Sequence, residues 1–185
     1  MTSDPRLLEI LKEKAYEQKQ VTLASGRQSN FYIDVKRVSL LAEGSYLIGR
    51  GLFSLIRENY KEAVGVGGLT LGADPLATAV ALTSFVEKHP LEAFIVRKEA
   101  KGHGTGKMIE GGHFLKPQAE VVIVEDVVTS GGSSIEASKK VREHGWTVLG
   151  VAAVVDREEG GREALQKEGL KLYSLFRKSD FGNLM

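Results

Sequence analysis

Apolar residues along this chain follow two spacings. Leu7, Leu8, Leu11 and Ala15 recur at three and four residues, as do Leu47, Ile48, Leu52, Leu55 and Ile56, the periodicity of a helix that buries one face. The first set follows Asp4-Pro5, an acceptor for orphan amides and then a first-turn proline; the second predicts a helix from about Ala42 to Asn59. Short apolar runs without alternation cover Ala63 to Val66, Ala93 to Val96, Val121 to Val124 and Val148 to Val155, as strands of a parallel sheet covered on both faces do. Helical segments separate them. Asp74-Pro75 repeats the cap-then-proline signal before an alanine-rich stretch to Phe85, and Ser133 with Glu136 reads as a capping-box pair for a helix that stops near Gly145. A last helix near Arg162 to Glu168 precedes a strand from Leu170 to Phe176. Between Val21 and Val38, β-branched and aromatic residues broken by Ser25-Gly26-Arg27 predict short strands around a polar turn, a small hood.

This order predicts an α/β fold, a doubly wound and mainly parallel sheet with a small N-terminal hood. At 185 residues, with no internal repeat and no linker-like stretch, the chain is expected to be one domain over 1–185, with 1–40 contributing helix and hood. Composition narrows the picture further. With 42% hydrophobic and 26% charged residues the chain can bury a core and is neither disordered nor collagenous. Twenty-five Lys and Arg against 24 Asp and Glu supply no global attraction to nucleic acid or an anionic membrane, so neither partner is expected. The charged N-terminal stretch reads as neither signal peptide nor anchor, and no apolar run approaches the ~20 residues of a span. The absence of cysteine excludes disulfides and thiolate catalysis and suits a reducing compartment, so a cytoplasmic location is expected. Four scattered histidines are weak material for a metal cage.

The segment V-V-I-V-E-D-V-V-T-S-G-G-S-S, Val121 to Ser134, is the most informative. A buried strand delivers two carboxylates and then a small-residue turn into a helix N-terminus, and in open parallel sheets ligands sit at such strand ends. Thr129, Ser130, Gly131, Gly132 and Ser133 combine hydroxyls with glycines that let amides converge at the positive end of a helix, which suits a phosphate dianion. Glu125 and Asp126 can accept hydrogen bonds from vicinal hydroxyls, so the motif could read one phosphoribosyl group. The plainer reading is a strand-to-helix turn with Ser133 as its cap. There is no GxxxxGK[ST], and no GxGxxG follows a strand, since Gly65, Gly67 and Gly68 break the spacing at Thr70. A second constellation, Arg97-Lys98-Glu99-Ala100-Lys101-Gly102-His103-Gly104-Thr105-Gly106-Lys107, places four cations and a histidine on a glycine-interrupted loop after a strand. Such a loop can neutralise an anionic leaving group and exclude water, or it can be a solvated basic loop.

V-I-V-E-D-V-V-T-S-G-G-S resembles the phosphoribosyl pyrophosphate signature of the type I phosphoribosyltransferases, and R-K-E-x-K-x-H-G more specifically resembles the loop of the orotate phosphoribosyltransferases. T-L-A-S-G-R-Q-S-N-F-Y-I-D is similar to that family's hood over the pyrimidine, and V-V-D-R-E-E-G-G carries Arg157 where the family contacts orotate. The resemblance, over nearly the whole chain, implies a glycosyltransferase of pyrimidine biosynthesis that joins orotate to phosphoribosyl pyrophosphate. It implies that Arg97 and Lys98 position the pyrophosphate while Lys101 and His103 act on it. Glu125 and Asp126 would hold the ribose, with Asp126, Lys101 and His103 the catalytic set. Thr129, Ser130, Gly131, Gly132 and Ser133 would bind the 5'-phosphate, with Val127 and Val128 also part of the donor site. Thr129 and Arg157 would meet orotate, with Tyr32 or Phe31 covering a face. Mg2+ is expected on the donor's oxygens, held through substrate and water, with no metal ligands from the protein. The family implies a homodimer sharing loop residues across subunits, so that Lys101 can act in trans. Ala24 and Leu71 stand where many members carry lysine; Lys36, Arg37 or Arg27 could substitute. Another nucleobase phosphoribosyltransferase and a non-catalytic sensor of the donor are the competing readings.

Overall fold

A computed structural model describes residues 4–18, 21–22, 28–29, 31–99 and 107–182. Helix α1 (Pro5–Ile10) begins where the Asp4 carboxylate accepts the Arg6 backbone N–H at 2.9 Å, and it runs on into a π turn, Leu11–Ala15. Strands β1 (Tyr16–Glu17), β2 (Val21–Thr22), β3 (Gln28–Ser29) and β4 (Tyr32–Ile33) make the hood: β1 pairs antiparallel with β4, and β2 with β3. The last hood strand falls within Phe31-Tyr32-Ile33-Asp34. Asp34 accepts the Lys36 N–H at 3.2 Å and turns the chain into a short helix, α2 (Lys36–Ser39).

Helix α3 (Ala42–Asn59) spans the predicted range. Strand β5 (Gly65–Leu69) begins two residues later than its apolar run and passes through the glycines that were expected to follow it. It is hydrogen-bonded on both sides, and a Cβ on Gly67 would lie 2.2 Å from the Phe94 carbonyl oxygen. Then come α4 (Ala73–Val86), β6 (Glu92–Val96), β7 (Ile109–Gly111), β8 (Glu120–Val128), α5 (Gly132–Glu143), β9 (Thr147–Asp156), α6 (Gly161–Lys167), β10 (Lys171–Arg177) and a 3-10 turn, Lys178–Phe181.

The main sheet has the order β10-β9-β8-β5-β6-β7, parallel except for β7, a three-residue antiparallel edge strand too short to show in the sequence. Its two faces share out the apolar runs residue by residue, as the two-residue period of a strand requires. Val122 and Val124 join Leu7, Ile48, Leu52 and Leu76 under α1, α3 and α4, whereas Val121 and Ile123 join Ala137, Val141, Trp146 and Leu165 under α5 and α6. From β5 the chain winds outward through β6; from β8 it winds the other way through β9 and β10. The winding therefore reverses between β5 and β8, and the crevice at the carboxyl ends of these two strands is where such sheets take ligands. Among the described residues no helix is long and apolar enough to cross a membrane.

Candidate active site

Strand β8 runs four residues past its apolar core, so Glu125 and Asp126 lie within the strand and point to opposite faces. Glu125 is 6% exposed and accepts the Ser134 hydroxyl of α5 at 2.8 Å. Burial, and then the neighbouring Asp126 carboxylate, hold its carboxyl well above the ordinary 4.5. The stability that protonated Glu125 contributes is full below that ordinary value and is lost as pH rises through the higher folded value, because the folded state there binds more protons than the unfolded chain. Glu125→Gln lacks this titration. In thermal melts across a pH series without ligand, the melting temperature of Glu125→Gln relative to wild type is expected to climb toward alkaline pH.

Asp126 takes the other side. Its Oδ1 accepts the Val127 N–H at 2.8 Å, its Oδ2 lies 3.6 Å from Lys36 Nζ, and the carboxylate rests against Gly72. Val127 and Val128 complete the strand opposite Val155 and Asp156, and Thr129 and Ser130 form the turn. Gly131 is the α5 cap residue with φ +81°, the left-handed region that favours glycine. The predicted Ser133–Glu136 capping pair does not form: the cap is Gly131, two residues earlier, with no side-chain cap bond. Glu136 instead pairs with Lys140 one turn on. The opening amides of α5 thus sit at the carboxyl end of β8 without a side-chain acceptor.

Beyond β5, the Thr70 N–H donates to the Val96 carbonyl at 2.8 Å and the Thr70 hydroxyl to Asp74 Oδ2 at 2.7 Å; the Thr70–Leu71 peptide is cis. Asp74 was expected to cap α4. Gly72 takes the cap position, and the Asp74 carboxylate braces the 70–72 turn from inside the first helical turn. At the exit of β6, Lys140 Nζ donates to the carbonyls of Arg97 and Lys98 at 3.0 and 2.8 Å, and Arg97 Nη1 lies 3.4 Å from Glu110. Lys101 and His103, with the rest of 100–106, lie outside the described residues, as do Ala24 and Arg27.

Arg157 follows β9. Its N–H donates to the Val128 carbonyl at 2.9 Å, which sets Thr129 and Arg157 side by side at the ends of adjacent strands. The buried guanidinium donates from Nη2 to the Phe31 carbonyl at 2.7 Å and pairs with Glu159 at 3.2 Å, its Cζ 5.6 Å from the Phe31 ring centroid. Phe31 packs on Tyr16 and Phe181, and Lys178 Nζ is 3.3 Å from Glu159. Sequence reasoning missed Glu159, Lys178 and Phe181; the nearest signal was the acidic E-E pair directly after Arg157. The geometry thus gathers Asp126 and the Thr129–Ser133 turn at the carboxyl end of β8, with Glu125 buried on the opposite face against Ser134, Arg157 beside the turn and the hood's Phe31 tied to Arg157.

No family model matches the sequence. A protein from Aquifex aeolicus named orotate phosphoribosyltransferase is 47% identical over 175 residues, 95% of this chain and 93% of its own length. This chain belongs to the orotate phosphoribosyltransferase family. The orotate phosphoribosyltransferase of Mycobacterium tuberculosis, solved in complex with 5-phospho-alpha-D-ribosyl 1-diphosphate, superimposes with a TM-score of 0.77 at 38% identity, over 96% of this chain and 97% of that one. A phosphoribosyltransferase from Corynebacterium diphtheriae gives a TM-score of 0.83 at 38% identity, over 98% of this chain and 99% of that one. The doubly wound sheet with its N-terminal hood is thus the orotate phosphoribosyltransferase fold.

Proposed function

We propose that the chain transfers the ribose 5-phosphate of phosphoribosyl pyrophosphate to orotate, giving orotidine 5'-phosphate and pyrophosphate in UMP biosynthesis, and that residues 1–185 act as one phosphoribosyltransferase domain. The observation that carries this reading is that the partly exposed Asp126 and the uncapped N-terminus of α5 both lie at the carboxyl end of β8. A vicinal diol and a dianion held on one sugar match that pairing. Glu125 and Asp126 hold the ribose hydroxyls, and Thr129 to Ser133 wrap the 5'-phosphate, with Val127 and Val128 completing the donor site. The C1–oxygen bond breaks with its electron pair leaving on pyrophosphate, and the N-glycosidic bond to orotate forms. Arg97 and Lys98 position the departing group, and Lys101 and His103 neutralise it, where fixed cations lower the barrier most. Orotate reacts as an anion, so its alignment by Thr129 and Arg157 beneath Phe31 matters more than a strong base.

Mg2+, when bound, would screen charge on the donor's oxygens; Asp126, partly exposed at the ribose side, is the carboxylate that fits beside it. The exposed apolar residues Leu82, Phe85 and Val86 of α4 support a homodimer; Lys101 acting across subunits is what the family resemblance implies. The reducing-compartment composition supports a cytoplasmic enzyme.

The deciding test is orotate depletion with phosphoribosyl pyrophosphate, with and without Mg2+, against adenine and hypoxanthine. Orotate should be consumed in a Mg2+-dependent reaction and the purines left untouched. Purine turnover without orotate turnover would overturn the reading.

A further inference from the structure

Of the three cations that could substitute for the missing lysines, Lys36 stands beside Asp126. It opens α2, and its ammonium donates to Asp34 Oδ1 at 2.8 Å and approaches Asp126 Oδ2 at 3.6 Å. The second distance is too long for a good hydrogen bond, so the ammonium, with three donors, keeps N–H groups to give. The Asp34 carboxylate holds its pKa above the ordinary lysine value, so the group is charged at neutral pH. Lys36 and Leu71 line one cavity of about 740 Å³ together with Asp74, and Gly72, the next residue, touches the Asp126 carboxylate. Arg37, by contrast, turns outward to Glu17 on the hood.

In a ribose, the leaving group on C1 neighbours the hydroxyl on C2. A cation next to the carboxylate that grips the hydroxyls is therefore also within a side chain's swing of the leaving group. Resting on the function proposed above, we infer that Lys36 is a donor-binding residue, its ammonium contacting the pyrophosphate between Asp126 and the 70–72 turn and supplying the cation that position 71 lacks. Lysine suits this place because its long stem can follow the phosphate while Asp34 anchors it.

Lys36→Met keeps the stem and removes the charge. It is expected to raise the KM for phosphoribosyl pyrophosphate, and its Kd by titration calorimetry, about tenfold or more, as loss of a charge-assisted hydrogen bond does. The KM for orotate and the melting temperature should hold. Leu71 is 69% exposed on the same cavity, so Leu71→Lys added to Lys36→Met should bring donor affinity back to within about threefold of wild type. An unchanged donor KM in Lys36→Met overturns the inference. So does a loss that comes with a lowered melting temperature and that Leu71→Lys does not repair, which would assign Lys36 to bracing the hood through Asp34. If wild type fails to consume orotate but binds the donor, the proposed function falls, and the calorimetric comparison still tests Lys36.

Discussion

Gly72→Ala is expected to leave the protein folded and to lower kcat/KM for phosphoribosyl pyrophosphate by about 10²-fold, the cost of displacing an aligned group by roughly 1 Å. Gly72 has φ −63° and ψ −36°, values alanine adopts freely, so the backbone does not object. The space does. A Cβ there would lie 2.6 Å from Asp126 Oδ2, 2.7 Å from its Cγ and 2.8 Å from its Oδ1. Those atoms are the end of a side chain and can move, but on the proposed reading they hold the ribose. Steady-state kinetics against donor concentration, with melting temperature as the fold control, check the result; wild-type kinetics in a variant that melts normally would remove Asp126 from the ribose site.

The second large effect is at Arg157. Arg157→Met is expected to lower kcat/KM for orotate by about 10²-fold, the size of a lost charge-assisted hydrogen bond, while donor Kd holds. A stability loss of about 1–3 kcal/mol should accompany it, because the Phe31 carbonyl and the buried Glu159 lose a donor. Arg157→Lys should rescue little, since a point charge cannot serve Phe31, Glu159 and a planar carboxylate with one rigid fork. Kinetics with each substrate varied in turn separate the two effects; equal losses for orotate and donor would mean that Arg157 shapes the hood rather than reading the base.

Much of the molecule could be read before folding was considered. Local periodicity located α3 at Ala42–Asn59 and the strands around Val121 and Val148, because a helix face or a doubly covered strand must be apolar at fixed intervals wherever it sits. The order of those elements implied a wound parallel sheet, and E-D-V-V-T-S-G-G-S carried its chemistry in one continuous stretch, where spacing along the chain is spacing in the site. The misreadings are of another kind. Ser133 and Glu136 matched a capping box, Asp74 a helix cap, and the glycines after Val66 a break; each is a local rule, and each was overridden, the first two by a competing partner one helical turn away and the third by a neighbouring strand. Glu136 met Lys140, Asp74 met Thr70, and the β5 glycines made room for Phe94.

Short contiguous runs therefore named the candidate groups for the sugar phosphate and the class of fold that presents them. Tertiary structure alone decided which of the spare cations stands beside Asp126, that Gly72 presses on that carboxylate, and that Arg157 is tied to Phe31, Glu159 and the turn bearing Lys178. Apart from the Arg157–Glu159 pair, these contacts join residues tens of positions apart through burial and charge, and no local pattern records them until the sheet brings β5, β8 and β9 together.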